Sequence, residues 1–176
     1  MKVAATGHRI EKFEGSAFAL SNTLTWLDLM ADFLASDERF GLDEGISGMA
    51  TGVDQLWATV VLEKKIPLSA YVPYWGQARK WSSENRDNWS AILGLARDVK
   101  VFGRSEPYDV STIWDRNRGM VDDCDLLLVV KDGSDTGGTA GTLRYAQEVG
   151  RSWVSYNPWD NSVNGSDDVK AVFGVQ

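Results

Sequence analysis

The stretch that most limits how this chain can fold is an apolar run, Leu126-Leu127-Leu128-Val129-Val130, closely followed by Ser134-Asp135-Thr136-Gly137-Gly138-Thr139-Ala140-Gly141-Thr142. The helix-like segment Leu143-Arg144-Tyr145-Ala146-Gln147-Glu148 comes next, so the whole reads as a strand–loop–helix unit. Such a unit leaves bare backbone N–H groups at a helix N-terminus, and these attract anions, phosphate above all. Gly137 and Gly138 are expected to adopt positive φ and let the backbone approach a ligand. Thr139 and Thr142 would add hydroxyl donors. A tight turn that only packs the helix on the sheet would use the same residues.

The pattern recurs. Lys2–Thr6 is a β-prone run ending in Thr6-Gly7-His8-Arg9, and Gly45-Ile46-Ser47 leads into Gly48-Met49-Ala50-Thr51-Gly52-Val53-Asp54. In open parallel sheets the ligand lies beyond the carboxyl ends of the strands, at the switch point of the strand order. The three strand ends are therefore expected to converge on one binding crevice.

Strands are predicted near residues 2–6, 44–47, 68–72, 98–102, 126–130 and 152–156, each short and rich in Val, Ile or Leu or set between turn signals. Leu20, Leu24, Leu27, Met30 and Leu34 recur at helical spacing and predict a long first helix. Val53, Leu56, Trp57, Val60 and Val61 predict a second, and further helices are expected near 84–96, 110–123 and 140–149. This alternation predicts an α/β fold: an open parallel sheet of about six strands with helices on both faces. The polar stretch Asn157–Asp168, with Asn164-Gly165, reads as a surface loop before a last helical turn through Val169, Val172 and Phe173.

At 176 residues the chain is expected to form a single domain, with 157–176 as a C-terminal loop and short tail. No segment reaches the roughly 20 apolar residues of a membrane span. The N-terminus lacks a signal-peptide pattern, and the lone Cys124, expected as a small buried residue at a helix end, agrees with a reducing cytoplasm. A net charge of −7 argues against a nucleic-acid surface, because phosphate backbones require a basic footprint. One His and one Cys cannot build a zinc cluster. Asp122, Asp123, Asp125 and Asp132 read as solvated loop charges rather than magnesium ligands, so neither metal nor separate cofactor is expected. The eight tryptophans point to core or subunit interface, hence a homo-oligomer. Trp75 and Trp81 stand in a polar, glycine-containing stretch, where they would either cover a base or ribose or pack under a loop.

Some polar residues stand out by position. Asn117 lies on the apolar stripe of its own helix, with Ile113, Trp114, Met120 and Val121. A buried amide left unpaired costs on the order of 1–3 kcal/mol, so Asn117 either ties down a loop or faces a ligand. Arg116 and Arg118 flank it, and one could reach a phosphate. Asp54 opens the second helix, as a cap or as an acceptor for a ribose hydroxyl. Arg9 suits a phosphate clamp and His8 an acid–base group, unless both only bind their own loop. Gly45-Ile46-Ser47-Gly48-Met49 lacks the second glycine of a nucleophile elbow. No Gly-x-Gly-x-x-Gly follows the first strand, which disfavours an ordinary dinucleotide dehydrogenase.

Taken in order, Thr6-Gly7-His8-Arg9, Ser47 to Asp54, Pro73-Tyr74-Trp75-Gly76-Gln77, Arg116 to Asp122, and Asp132-Gly133 through Gly137-Gly138-Thr139 to Thr142 resemble the YpsA-like branch of the SLOG superfamily. That Rossmann-like group includes the DprA and Lonely Guy proteins. The resemblance runs from about residue 1 to 156. It implies a Rossmann-like sandwich that binds nucleotides or nucleotide-derived molecules in its glycine loops. Related domains sense ADP-ribose-type signals in antiviral defence. It also implies a ligand set of Thr6, Gly7, His8, Arg9, Ser47, Gly48, Met49, Ala50, Gly52, Asp54, Arg116, Asn117, Asp132, Gly133, Gly137, Gly138, Thr139 and Thr142. Lonely Guy enzymes cleave N-glycosidic bonds of nucleoside monophosphates through a Pro-Gly-Gly-x-Gly-Thr-x-x-Glu motif. Here Thr136 replaces the proline, an extra residue separates Gly138 from Gly141-Thr142, and Arg144-Tyr145 stands where the acid is expected. A glycosidase of this type would have to draw its carboxylate from Asp54 or Glu84.

Overall fold

The computed structural model describes residues 1–103 and 109–173, with side chains through 171. Elements alternate along the chain: β1 (Lys2–Gly7), α1 (Ala17–Ser36), β2 (Glu44–Ser47), α2 (Val53–Glu63), β3 (Leu68–Val72), α3 (Ser83–Leu95), β4 (Asp98–Val101), α4 (Val110–Asp123), β5 (Leu126–Val130) and α5 (Gly137–Glu148). The chain closes with β6 (Ser152–Asn157), β7 (Ser162–Gly165) and α6 (Asp167–Phe173), and a single 3-10 turn, Ile10–Phe13, precedes α1. The seven strands form one sheet in the order β4-β3-β2-β1-β5-β6-β7, parallel except for the antiparallel β6–β7 pair.

Side-chain alternation divides this sheet into two packed faces. Val3 and Ala5 of β1 and Leu126, Leu128 and Val130 of β5 point into one core with Leu27 and Leu34 of α1 and Trp57 and Val61 of α2. Ala4, Leu127 and Val129 point the other way, onto Met120 and Val121 of α4 and Ala146 of α5. Helix starts are set locally: the Ser82 hydroxyl accepts from Asn85 N at 3.3 Å ahead of α3, and the Asp109 carboxylate from Ser111 N at 2.8 Å ahead of α4. On α1 the buried stripe runs through Ala19, Thr23, Leu27, Met30 and Leu34, and Leu24, expected within it, is turned outward.

The seventh strand corrects the loop expected over Asn157–Asp168. Asn161 takes φ +60° and reverses the chain, so that Tyr156 pairs with Val163 and Asn157 with Ser162. Its polarity is that of a short edge strand: only Val163 packs on the core, and the exposed Ser162 and Asn164 blunt the edge. Val169 packs as expected; Val172 and Phe173 lie outside the described side chains. No helix among the described residues is long and apolar enough to cross a membrane.

Most tryptophans are used within the chain. Trp57 is fully buried, Trp26 stacks on Tyr156 at 5.0 Å, Trp159 stacks on Phe13 at 5.3 Å, and Trp153 packs against the second core. Trp75 is exposed. The acids Asp122, Asp123 and Asp125, expected as solvated charges, each hold a partner: the Tyr145 hydroxyl, the Tyr71 hydroxyl with Lys100, and Lys2 N respectively. Among the described residues no His, Cys, Asp or Glu cluster suited to a metal ion gathers.

Candidate ligand-binding site

Strand order reverses between β1 and β5, because the chain builds outward from β1 to β4 and then returns to its other side. A crevice therefore opens beyond the carboxyl ends of these two strands, where α2 begins on one face and α5 on the other. This cavity of about 610 Å³ is walled by Thr6, Gly7, His8 and Arg9 after β1, and by Ala50 and Asp54 after β2. Val110, Ile113, Trp114, Arg116 and Asn117 of α4, with Gly137, Gly138, Thr139 and Arg144 of α5, complete its lining. Its size suits a small organic ligand.

An ion pair forms its floor. Arg116 Nη1 lies 3.0 Å from Asp54 Oδ2, and both side chains are nearly enclosed. Asp54 also accepts from Ala50 N at 3.3 Å, so it caps the loop at the start of α2 while holding α4 from the opposite face of the sheet. Burial penalises both charges, pushing Asp54 up and Arg116 down, and each is the principal compensation for the other. Gly48 makes the approach possible, since a Cβ there would overlap the Arg116 guanidinium. Gly52 takes φ +90° and sits against the carbonyl of His8, where a side chain would collide.

Donors are left over. The Nε of Arg116 is buried without a partner, and its Nη2 has none among the described residues. The Asn117 amide is 8% exposed, lines the crevice and is likewise unpartnered among the described residues. Above them, α5 offers its N-terminal N–H groups at Gly137 and Gly138, with Arg9 and Arg144 at the rim.

Other expected ligand residues frame the site without lining it. Ser47 Oγ donates to Asp54 O at 2.6 Å and accepts from Met49 N at 3.1 Å. Met49 is fully buried with φ +62°, a costly conformation for a side-chain-bearing residue, and Gln55 Nε2 secures its carbonyl at 3.3 Å. Thr142 is buried, and its hydroxyl donates to Gly138 O at 2.9 Å, so it serves the helix instead of the crevice. Only Gly137 of the glycine pair takes positive φ, at +89°; Gly138 is ordinary helix with open space beside it. Gly141 admits the Trp114 ring and so packs α5 on α4.

Asp132 and Gly133 line a separate hollow beside β6 and β7. The His8 ring, edge-on to Trp159 at 5.8 Å, accepts from Asp132 N through Nε2 at 2.9 Å, which joins the loops after β1 and β5. Burial lowers the His8 pKa against the opposing pull of Asp132, and Nε2 acting as an acceptor fits a neutral ring. Burial also opposes ionisation of Asp132, but Lys12 at 2.8 Å and the Ser134 N–H outweigh it and hold the carboxyl at about 2. Glu84 stands exposed on the first turn of α3, away from the crevice lining. Two polar contributors were not expected. Arg144 carried a signal only in its spacing from Gly137, two turns into α5, and Gln77 only as part of the Pro73–Gln77 motif. Gln77 donates to Gly48 O at 3.1 Å and so braces the loop after β2.

These features define a Rossmann-like α/β fold with a switch-point crevice, and known structures share the fold. DNA processing protein A (DprA) from Streptococcus pneumoniae superposes with a TM-score of 0.64 at 20% identity over 89% of this chain. The chain spans 49% of that DprA chain. The molybdenum cofactor binding protein from Rippkaea orientalis gives a TM-score of 0.55 at 13% identity, covering 98% of this chain and 81% of that one. The fold is thus the one that the SLOG resemblance implies. In sequence, the uncharacterized SPbeta prophage-derived protein YoqJ of Bacillus subtilis (strain 168) is 26% identical over 129 residues, 65% of this chain and 73% of YoqJ. No family model matches the chain.

Proposed function

We propose that the crevice binds a nucleotide-derived, phosphate-containing small molecule, such as ADP-ribose or a cyclic nucleotide-like signal, and that the protein acts as its sensor or sequestering partner. The observation that carries this is the set of donors lining the crevice by the N-terminus of α5 that have no partner among the described residues: the Asn117 amide and the free edge of Arg116. Buried donors without partners are costly, and an anionic ligand would satisfy them. Arg9 and Arg144 at the rim would add charge-assisted contacts to phosphate. The neighbour from Rippkaea orientalis is a molybdenum cofactor binding protein, which is in keeping with a small-molecule ligand. The net charge of −7 supports a small anion over a polynucleotide.

Native mass spectrometry of protein purified from cells, followed by calorimetry with nucleotides and cyclic ADP-ribose isomers, tests this reading. A bound mass that includes phosphate is expected; failure of every nucleotide to bind at millimolar concentration would overturn it. N-glycosidic cleavage is the other reading. It would draw its carboxylate from Asp54, which lines the crevice but is engaged by Arg116. Chromatography of AMP incubated with the protein separates the two: release of adenine, lost in Asp54→Asn, would favour cleavage.

A further inference from the structure

The crevice does not end at Arg9 and Arg116. Together with Ile113, these side chains also wall an adjoining cavity of about 480 Å³, whose far side is the loop from Pro73 to Trp81. Arg9 and Lys80 line this second space beside Arg116, whose charge Asp54 offsets from below, and none of its described lining residues is acidic, in a chain of net charge −7. Local cation excess of this kind concentrates anionic ligands. The half-buried Trp81 contributes the aromatic wall.

The wall is fixed in advance of any ligand. Trp81 N donates to Ala78 O at 3.0 Å, and Arg86 donates to Trp81 O at 2.8 Å. Gln77 links the loop to Gly48 O at 3.1 Å and accepts from Trp89 Nε1 at 3.1 Å. Lys80 is exposed and makes no ion pair among the described residues. A crevice of about 610 Å³ already suffices for one nucleoside phosphate, so a mononucleotide leaves the second cavity without a role.

We propose that this second cavity is a subsite for the distal half of the ligand, taking a ring on Trp81 and a second phosphoryl group between Arg9 and Lys80. The ligand is then a two-part, diphosphate-bridged nucleotide that straddles Arg9 and Arg116. This assignment rests on the reading of the crevice as a nucleotide site. Aromatic stacking suits the Trp81 position because it accepts any base or flat ring.

Calorimetry on the full chain with AMP and ADP-ribose as probes tests the proposal. ADP-ribose should bind at least about tenfold more tightly than AMP. Trp81→Ala and Lys80→Gln should each weaken ADP-ribose by about five- to tenfold and leave AMP unchanged, while Trp81→Phe keeps most of the affinity. Lys80→Gln alters an exposed side chain, so its result stands even where Trp81→Ala lowers the melting temperature. Equal affinity for the two probes, or variants that weaken both alike or neither, would overturn the subsite and leave the crevice reading intact. Binding of neither probe would overturn the subsite, and the crevice reading would fall with it once every other nucleotide also failed to bind at millimolar concentration.

Discussion

At the amino ends of the strands, Glu44 accepts from the Ser69 hydroxyl at 2.5 Å and pairs with Arg97 at 2.7 Å and Lys2 at 3.6 Å. At the carboxyl ends, Asp54 pairs with Arg116 at 3.0 Å. Both acids are buried and both meet an arginine, yet the surroundings differ. Arg97 is half exposed and also holds Asp98, so water and neighbours complete its shell. Arg116 is enclosed, and its Nε and the neighbouring Asn117 amide have no partner among the described residues. The first cluster is closed and joins strands; the second is open and has donors in reserve. A polar network with capacity left over, at the switch point of the sheet, is where a ligand adds the missing acceptors.

The sharpest way to break this contrast is to remove one acid from each end. Asp54→Ala leaves a buried guanidinium unpaired and should cost about 3–5 kcal/mol in urea unfolding. The double variant Asp54→Ala/Arg116→Met should recover most of that loss, because no uncompensated charge remains. Recovery failing in the double variant would mean that Asp54 stabilises chiefly by capping its loop. The next effect is on binding alone. Gly138→Asp places a carboxylate over the α5 N-terminus, and at about 4 Å from a phosphate, with an effective dielectric near 20, this repels by about 4 kcal/mol, roughly a thousandfold in affinity. Its melting temperature should stay near that of the parent, since Gly138 lacks positive φ and a Cβ there meets nothing within 4 Å. Unchanged calorimetric affinity in this variant would remove α5 from the site.

Glu44→Gln should lower stability by only about 1 kcal/mol, because Arg97 can be resolvated, and ligand affinity should not move. A loss of affinity there would show that the two ends are coupled. The smallest expected effect lies in pH. The folded pKa of His8 is depressed by burial, so between pH 7 and 5 the unfolded chain binds the extra proton and stability falls as pH falls. His8 is the only histidine, so His8→Gln should flatten the slope of unfolding free energy in that window. Asp132, held at about 2, loses its stabilising share only as pH drops below its ordinary value of 3.8.

Much of this architecture was legible along the chain, because strand runs, helical spacing and glycine turns are local signals. The loops after β1, β2 and β5 could be read as one crevice from the strand-end rule alone. What escaped was long-range or depended on atomic detail. Asp54 and Arg116 are 62 positions apart and meet only because α4 crosses from the β4 edge back to the centre. Nothing local marks Arg116 as the buried arginine and Arg118 as the one that instead lies over the Tyr145 ring. Thr142 looked like a donor to phosphate because helix phase, which turns it inward, is invisible in the motif. The edge strand β7 is too polar to announce itself; only its pairing with β6 makes it a strand.

Cys124 follows the last residue of α4, and burial raises its thiol to about 12. At that value the native sulfur is neither charged nor accessible, so a thiol reagent can modify it only after the end of α4 lifts from the sheet. The helix that carries Arg116 and Asn117 therefore bears its own chemical clock. The labelling rate at the single cysteine counts openings of the wall that faces the ligand, and a molecule that clamps this wall would slow the count without touching the sulfur.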